Sequence, residues 1–596
     1  KIQPEDFVIN DNRLLKRLQT QKGFPKLKEF LRVPPNHANF KNKSIPITPS
    51  ETISSTYFPE WFYCNNCERF KKLHDWWKEW KRVIQKHSQQ ANKSDFIPPK
   101  CPYCYDDALD RHEKSGKRQK IYYDLEQVRF VMTSPTGDIR DFPWERWNKA
   151  TKDFSKDEDE DLENKQNGIH FDWEDLCCEE PDLRYYKSKK YSDLAGIRIE
   201  CKNCKAKNTL SGFFGTRIRV PKANDIYFKP VLRTSNSCYY PILVSSIYLP
   251  TKRVIDIEDQ TAIKDWKKED IVFIFKALRK KYSKEKIQNF INGDLEGEFE
   301  PENEYRLKEF NFITEQSRIK YPDNDSNDHN LVFEREKLSK LSNYCINNLT
   351  AIKRLKITTV QTAYSRQEPI DSDQFLSDED TENSIEARYT SKWANQTKYL
   401  PAIENFGEGI FISIDEKKIN HWIQASNIDK EFRNRIKQLF ENSKASDLPR
   451  VVKKFKNENH LARFVLVHTL SHILIKELEF LCGYPATSLN ERLFIDENKM
   501  AGILIYTVAG AEGSYGGLVS QATEKSFNRI LDAALFRAKD CASDPICYNT
   551  EDGQGVGGLN MAACYSCSLL PENACEEFNS FLDRSLLIDD KYGFFK

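Results

Sequence analysis

Long apolar segments are missing from this sequence. None approaches the ~20 residues that a helix needs to cross a bilayer. The longest run, Ile503 to Ala509, has only the length of a strand. The N-terminal residues are polar and do not form a secretory signal pattern. We therefore expect a cytoplasmic protein that is not associated with a membrane.

The net charge of the chain is also close to zero. The chain has 91 basic and 90 acidic residues, which leaves a formal charge of +1 at pH 7. Affinity for nucleic acids comes largely from cations that neutralise phosphates. Because the chain as a whole is not a polycation, any contact with nucleic acid must come from local basic patches.

Motifs for nucleotide hydrolysis are absent as well. No Gly-x-x-x-x-Gly-Lys-Ser/Thr loop occurs, so we expect no ATP hydrolysis. A glycine-rich segment from Gly510 to Leu518 follows a strand-like run and precedes a helical one. Glu512 stands where a nucleophile elbow has its first glycine, so the segment does not match that motif. The pattern favours tight packing of strand on helix, and the alternative is a phosphate contact at the helix N-terminus.

Two histidines, His468 and His472, lie in a long helical pattern from Asn457 to Leu481. Their i, i+4 spacing puts both on one face of the helix, where they could share a metal ion. The glutamate of an HExxH protease motif is absent. The pattern favours two histidines that are hydrogen-bonded inside a helical core. The alternative is a hydrolase that uses them together with Glu512.

Cysteine, by contrast, is abundant, with 16 residues. A secreted disulfide framework is not expected in so long a chain, and zinc in a reducing compartment explains the cysteines better. Cys64 and Cys67 form one C-x-x-C pair, and Cys101 and Cys104 form a second. Two such pairs supply four thiolates to a tetrahedral zinc ion. We therefore predict a zinc ribbon in this part of the chain.

Five further cysteines lie in the C-terminal stretch from Cys541 to Cys575. We predict that Cys547, Cys564, Cys567 and Cys575 bind a structural zinc ion. Cys541 is then a spare residue, or an alternative to Cys547. Four thiolates leave no position for water, so this ion would fold the chain and would not catalyse a reaction.

A third cysteine group is less complete. Its members are Cys177, Cys178, Cys201 and Cys204. Adjacent cysteines rarely bind one ion together, so Cys238 or His170 would have to complete the set. Two alternatives stay open here, a third zinc site and a metal-free remnant.

The segment between the two N-terminal C-x-x-C pairs is basic, aromatic and helical in pattern. Such a helix could lie along a nucleic-acid backbone, with tryptophan stacking on bases. The candidate contact residues are Lys71, Lys72, Trp76, Lys78, Lys81 and Arg82. The alternative, which the helical spacing of the aromatic residues favours, is an amphipathic helix that packs its tryptophans on the ribbon.

The chain of 596 residues is too long for one hydrophobic core. At about 150 residues per domain, three to five units are expected, and we predict an α+β multidomain fold. The expected segments are an N-terminal helical and extended region (1–57), a zinc ribbon with a basic helical insertion (58–125), a mixed β domain (126–250), an α/β middle region with helical and acidic insertions (251–445), and a C-terminal α/β zinc-binding domain (446–596).

Several motifs together resemble the DrmB family of DISARM, a bacterial defence system against phage. The C-terminal third is similar to the zinc-binding, helicase-associated domain at the ends of MrfA-type superfamily 2 helicases. The matching stretches, in chain order, are Phe58-Pro-Glu-Trp-Phe-Tyr-Cys64, Arg129-Phe-Val with Asp141-Phe-Pro-Trp144, Ser245-Ser-Ile-Tyr-Leu-Pro250, Gly407-Glu-Gly-Ile-Phe-Ile412, His468-Thr-Leu-Ser-His472, Gly502-Ile-Leu-Ile-Tyr506, Glu512-Gly-Ser-Tyr-Gly-Gly517, and Cys541 to Asp583 with Ala563-Cys-Tyr-Ser-Cys567. They span most of the chain, and the C-terminal set is the most specific.

The chain departs from the family in one region. The family usually has a cysteine and a Gly-His before the Asp-Phe-Pro-Trp motif, and a histidine soon after it. This sequence has Met132, Thr133, Gly137, Asp138 and Lys149 at those places. The departure argues against a zinc ion at Cys201 and Cys204.

The resemblance implies a cytoplasmic complex with a separate superfamily 2 helicase subunit, similar to DrmA, that acts on DNA. We therefore expect a non-catalytic subunit that holds two or more zinc ions and contacts DNA mainly within the complex. One alternative is a stand-alone nucleic-acid-binding zinc protein. A less favoured one is a hydrolase that uses His468 and His472.

Overall fold

The structure is a computed structural model of the chain. It describes residues 7–20, 24–32, 56–87, 98–116, 122–148, 176–188, 190, 193–220, 226–249, 266, 270–278, 302–319, 330–339, 341–369, 396–446, 451, 454–497, 499–507 and 517–596. His170 and Glu512, which belong to hypotheses made from the sequence, lie outside these residues. Within the described part of the chain, no helix has both the length and the apolar character that a membrane crossing requires.

Strands are distributed along the whole chain. They are β1 (Val8–Ile9), β2 (Glu29–Arg32), β3 (Trp61–Cys64), β4 (Phe70–Lys72), β5 (Leu125–Gln127), β6 (Phe130–Thr133), β7 (Ile139–Asp141), β8 (Leu183–Lys187), β9 (Ile197–Cys201), β10 (Lys207–Thr209), β11 (Ile218–Arg219), β12 (Tyr227–Leu232), β13 (Tyr240–Ile247), β14 (Arg318–Ile319), β15 (Leu331–Arg335), β16 (Ile346–Ser365), β17 (Tyr399–Ile414), β18 (Leu489–Asp496) and β19 (Met500–Thr507).

Helices are longest in the C-terminal part of the chain. They are α1 (Asn12–Thr20), α2 (Leu73–His87), α3 (Pro102–Ser115), α4 (Trp144–Trp147), α5 (Ile271–Ala277), α6 (Glu302–Glu315), α7 (Glu416–Ser426), α8 (Lys430–Ala445), α9 (Glu458–Cys482), α10 (Glu524–Ala538) and α11 (Ser585–Ile588). Helices and sheets are mixed, which confirms the predicted α+β class.

A nine-stranded sheet occupies the centre of the described structure. Its main path runs β1-β2-β17-β16-β15-β14, β13 pairs with β16, and β19 pairs with both β17 and β18. Its neighbours are antiparallel except for β2 and β17, which are parallel. The long strands β16 and β17 pair from Ile346 and Ile414 to Val360 and Ala402. One sheet therefore takes strands from four of the five expected segments.

Helix α9 lies in the core beside this sheet. Every residue from Leu461 to Ile475 is buried, as expected for a helix that is apolar on all sides. The Asn457 side chain accepts a hydrogen bond from the His460 amide and caps the start. Gly483, at φ 70°, ends the helix in the left-handed conformation. The helix agrees with the predicted one to within a residue at each end.

Three smaller sheets are formed by strands that lie between β2 and β13 in the chain: β4-β3-β5, β10-β9-β8 and β11-β12-β6-β7. Aromatic side chains join them. The Tyr63 ring stacks on Tyr185 with centroids 4.3 Å apart, and Trp144 stacks on Phe213 at 5.6 Å. Because β3 and β9 both end at a cysteine, this aromatic core fixes the positions of two potential metal ligands.

Candidate metal centres

Four groups of side chains bring metal-ligating atoms together in the described part of the chain. Within each group, the ligand atoms all lie within 4.8 Å of one another. The groups are the ribbon cluster (Cys64, Cys67, Cys101, Cys104), the second cluster (Cys177, Cys178, Cys201, Cys204), the C-terminal cysteine cluster (Cys541, Cys547, Cys564, Cys567) and the mixed cluster (His468, His472, Glu491, Cys575). Each offers four donors, the number that structural zinc takes.

The ribbon cluster is built from the end of a strand and the start of a helix. Cys64 ends β3, and the amide of Glu68 donates to the Cys64 carbonyl over 2.8 Å. Cys101 precedes α3, and Cys104 lies in its first turn. The sulfur atoms of Cys64 and Cys104 are 3.7 Å apart, and those of Cys67 and Cys101 are 3.5 Å apart. The structure thus places together the four cysteines of the predicted ribbon.

Hydrogen bonds to sulfur make this cluster suited to a cation. Bonds from the Cys101 and Cys104 thiols lower the pKa of Cys64 to about 7 and also lower the pKa of Cys67. The Asn66 amide donates to Cys104 Sγ over 3.2 Å. Hydrogen bonds among the four thiols raise the pKa of Cys101 and Cys104 in turn, so two of the cysteines are favoured as thiolates, which is the form that binds zinc.

The second cluster uses both members of an adjacent cysteine pair. Cys178 Sγ and Cys201 Sγ are 3.7 Å apart, and Cys177 and Cys204 complete the group. Cys238, the residue considered from the sequence, lies elsewhere, and its thiol donates to the Leu232 carbonyl over 3.2 Å. From the sequence, we expected that adjacent cysteines would not share a site. The structure differs, because Cys177 and Cys178 both lie in the second cluster. The Cys177 amide donates to the Glu145 carbonyl, and this hydrogen bond helps to hold the cysteine pair near Cys201.

The turn at Cys201 has the same backbone geometry as the turn at Cys64. Each cysteine carbonyl accepts from the amide four residues later, at Glu68 and Lys205. Both later residues are in the left-handed region, at φ 61° and 64°. Each cysteine amide in turn donates to the carbonyl five residues later. The two C-x-x-C turns therefore present their cysteines in the same way.

The C-terminal cysteine cluster forms after helix α10. Cys541 Sγ lies 3.3 Å from Cys564 Sγ, and Cys547 Sγ lies 3.9 Å from Cys567 Sγ. The sulfur atoms of the C-x-x-C pair are 3.8 Å apart. Burial opposes ionisation of Cys564, but hydrogen bonds from Cys541 and the following backbone lower its pKa to about 6.

This set differs from the one expected from the sequence, which had Cys575 as a ligand and Cys541 as a spare. In the structure Cys541 stands beside Cys564, and Cys575 is in another cluster. The reason is the intervening segment, in which Leu570 and Ala574 are buried in the core around α9. Because these two residues are buried there, Cys575 lies beside the histidines of α9 and not beside Cys567.

The mixed cluster lies in this core, and all four of its members are buried. His468 Nε2 and His472 Nε2 are each 3.3 Å from Cys575 Sγ. They are 3.2 and 3.6 Å from Glu491 Oε1, which projects from β18. Sequence reasoning missed Glu491 altogether. The available signal was the i, i+4 histidine pair together with a cysteine left over from a set of five.

The basic helix α2 packs its central tryptophan inward. Trp76 is fully buried, and its ring nitrogen donates to the Phe62 carbonyl over 2.9 Å. Trp76 therefore packs on the ribbon, and its ring is not available to stack on a base in this structure. Lys71 donates to the Tyr103 hydroxyl over 2.8 Å, and Lys72 lies over the Trp61 ring. Among the helix residues whose burial the structure describes, Lys78, Lys81 and Arg82 are exposed cations.

Comparisons with known proteins place two of these regions in families. Residues 2–240, which contain the ribbon and second clusters, match the Domain of unknown function (DUF8724). Residues 470–568, which contain the C-terminal cysteine cluster, match the MrfA Zn-binding domain. The chain is thus a protein that carries a zinc-binding domain of the MrfA type near its C-terminus.

The similarity extends to nearly the whole chain for one curated protein. The chain is a homologue of the DISARM protein DrmB of Bacillus paralicheniformis, with 25% identity over 594 residues and coverage of 93% of each chain. This finding confirms the resemblance that the sequence motifs indicate.

Proposed function

We propose that the chain is a non-catalytic, zinc-binding subunit that partners a superfamily 2 DNA helicase in bacterial defence against phage and helps to bind DNA. The observation that carries the proposal is the similarity to the DISARM protein DrmB along 93% of the chain. A match of that extent covers the cysteine clusters at both ends, so it favours a shared role for the whole protein and not for one module.

Zinc is the metal that the three all-cysteine clusters fit best. Each offers four thiols, and zinc binds four thiolates tetrahedrally in structural sites. The C-terminal cysteine cluster lies within the match to the MrfA Zn-binding domain, which supports zinc there directly. Four sulfur ligands leave no open position for water, so these ions would stabilise the fold and take no part in a reaction.

The burial of the two histidines argues against a hydrolase. His468 and His472 are both fully enclosed in the core of α9. A catalytic residue must reach its substrate, or a water molecule that attacks it. Neither can approach these side chains without opening the helix core.

An exposed apolar surface on the MrfA-type domain is our candidate for the helicase contact. The terminal patch consists of Phe480, Leu481, Phe536 and Tyr565, which are 70%, 50%, 70% and 86% exposed. Phe480 and Leu481 lie in the last turn of α9, Phe536 lies near the end of α10, and Tyr565 lies in the C-terminal C-x-x-C turn. The Arg537 guanidinium covers the Phe480 ring at 4.4 Å, and Lys476 donates to the Tyr565 carbonyl. Exposed clusters of large apolar side chains are typical of interaction sites.

The proposal predicts that a neighbouring gene encodes a superfamily 2 helicase, and co-purification with that helicase tests it. We expect the wild-type chain to be retained by the tagged helicase. Phe480→Ser combined with Phe536→Ser should weaken the complex by about tenfold or more, because buried aromatic anchors dominate such interfaces. The matched control is Ile428→Ser, which removes an equally exposed apolar side chain, 81% exposed, from the loop between α7 and α8.

Each outcome bears on a separate part of the proposal. A wild-type chain that is not retained contradicts the helicase partnership. A double variant that is retained as well as wild type, while the partnership holds, places the contact elsewhere on the molecule. Equal loss for Ile428→Ser would mean that general surface hydrophobicity, and not the terminal patch, drives retention.

A further inference from the structure

We propose that His468, His472, Glu491 and Cys575 bind a zinc ion in a fourth, mixed-ligand site that is independent of the three all-cysteine clusters. The four side chains come from three separate parts of the chain: the middle of α9, the strand β18 and the segment after the C-terminal cysteine cluster. Their donor atoms converge on one point in a fully buried position.

The separations between the donor atoms are those of a tetrahedral zinc site. With zinc–nitrogen distances near 2.0–2.1 Å and a zinc–sulfur distance near 2.3 Å, neighbouring ligands lie roughly 3.3–3.6 Å apart. Each histidine Nε2 is 3.3 Å from Cys575 Sγ. The same two nitrogens are 3.2 and 3.6 Å from Glu491 Oε1. Three of these four edges fall within the range, and the fourth, at 3.2 Å, is 0.1 Å below it.

The hydrogen bond of His472 shows which ring nitrogen is available as a ligand. His472 Nδ1 lies 2.9 Å from the Ser568 carbonyl, which can only accept, so Nδ1 carries the proton. In a neutral ring, Nε2 then has a lone pair, and it faces the Glu491 carboxylate and the Cys575 sulfur. The carboxylate can only accept, so without a metal a Cys575 thiol would have to donate to this nitrogen, and with a metal the ion occupies that position. A carbonyl that accepts the Nδ1 proton, and so fixes the tautomer of a ligating histidine, is typical of zinc sites.

Backbone amides donate hydrogen bonds to the two ligands that would be anionic, Cys575 and Glu491. Cys575 Sγ accepts hydrogen bonds from the amides of Glu577 and Asn579, both at 3.3 Å. Glu491 Oε1 accepts from the Glu576 amide over 3.1 Å, and Glu491 Oε2 is buried with no partner among the described residues. A thiolate and a carboxylate bring two negative charges into the core, which one divalent ion neutralises.

The metal-free alternative is a network of neutral rings, in which a His468 Nε2–H donates to Glu491 and a Cys575 thiol donates to His472 Nε2. That network leaves the second oxygen of the Glu491 carboxylate buried with no partner among the described residues. A zinc ion instead binds all four groups and neutralises the buried negative charge. With four ligands and no exposed atom, the site has no position for substrate, and its role is to fasten β18 and the C-terminal segment to α9.

X-ray absorption at the zinc edge of the full-length, untagged wild-type protein tests the proposal. The three other clusters contain only cysteine. Scattering from imidazole rings around zinc would therefore come from the mixed cluster, and we expect to detect it. The control variant His421→Ala removes an exposed histidine on α7 and should leave this signal unchanged. A zinc environment of sulfur alone would overturn the proposal, and so would an imidazole signal that His421→Ala abolishes.

Zinc content supplies a second measurement. His472→Ala and Cys575→Ala should each lower the zinc content by one ion per chain, as should the two changes together. The matched control is Cys482→Ser, because Cys482 is a half-buried cysteine outside all four clusters. Folded variants with the wild-type zinc content would overturn the proposal. Where the variants do not fold, the absorption spectrum of the wild-type protein decides the question by itself.

Discussion

At the scale of single residues, one buried ion pair holds the C-terminal region to helix α8. Arg435 donates to both carboxylate oxygens of Asp583, over 2.9 and 3.0 Å, and both side chains are buried. The same carboxylate accepts from the Ala562 and Ser585 amides. Asp583 therefore joins the helix, the C-terminal cysteine region and α11 through one group.

Arg435→Leu should lower the free energy of unfolding by about 3–5 kcal/mol, because it leaves the Asp583 charge buried and without its partner. Urea denaturation of the full chain, monitored by circular dichroism, measures the change. The matched control is Lys437→Leu on the same helix, whose pair with Glu441 is exposed. The control should change stability by less than about 0.5 kcal/mol. Equal effects for the two variants would contradict a special role for the buried pair.

A single carboxyl group should also give the protein a characteristic pH dependence. Burial raises the pKa of Asp141 to about 6, although the Glu60 amide donates to it. The native state therefore binds a proton more tightly than the unfolded chain between about pH 4 and 6, and stability falls as the pH rises through that range. Asp141→Asn should remove this fall. Denaturation curves collected across the range would contradict the assignment if the variant kept the wild-type slope.

At the scale of elements, the two faces of helix α2 suit two different roles, packing on the ribbon and contact with nucleic acid. The Trp76 face packs on the ribbon, whereas Lys78, Lys81 and Arg82 are exposed. The exposed face is the part of the candidate nucleic-acid surface that the structure leaves accessible. Phosphate contacts by these cations would support the proposed role in DNA binding.

Replacing Lys78, Lys81 and Arg82 together by glutamate should weaken DNA binding and reduce its salt dependence. Each lost phosphate contact lowers the slope of log affinity against log salt by about 0.9. The matched control is the same change at Lys430, Lys437 and Lys444, three exposed lysines on α8. Fluorescence anisotropy over a salt series measures both quantities. A loss of equal size in the two triple variants would show that only net charge matters.

The elements also show how far sequence reasoning reaches. The C-x-x-C turns and the limits of α9 follow from contacts between residues that are close in sequence, and a reader of the sequence can predict them. The partner of Cys575 depends instead on where Leu570 and Ala574 are buried against α9, which is a property of the assembled core. Glu491 could not be recognised as a candidate ligand for the same reason. An acidic residue in a strand gives no sign of metal binding until its neighbours in the folded core are known.

At the scale of the whole molecule, the all-cysteine clusters fix two distant regions of the chain. The ribbon and second clusters lie within the first 204 residues, and the third lies after residue 540. The free energy of binding a structural zinc ion is about 10–16 kcal/mol in small zinc-dependent peptides. This binding free energy is comparable with the free energy of unfolding of a typical domain, which is about 5–15 kcal/mol. Loss of one such ion should therefore be enough to unfold the region around it.

Cys564→Ser should accordingly yield insoluble protein, whereas Cys482→Ser, outside the clusters, should yield soluble protein with wild-type zinc content. Elemental analysis of the wild-type protein should give at least two zinc ions per chain. Soluble, folded Cys564→Ser protein with unchanged zinc would contradict the assignment of this cluster. A wild-type zinc content near zero would contradict the role of metal in the fold as a whole.

The parallel pairing of β2 with β17 has a consequence for synthesis on the ribosome. Glu29 pairs in register with Tyr399, which is made roughly 370 residues later. At about 5–20 residues per second, the N-terminal strand waits about 20–70 s for its partner. During that interval β1 can already pair with β2, but the edge of β2 that faces β17 is left to water or to another partner. Strand β2 therefore cannot complete its native pairing until the chain has been made as far as β17.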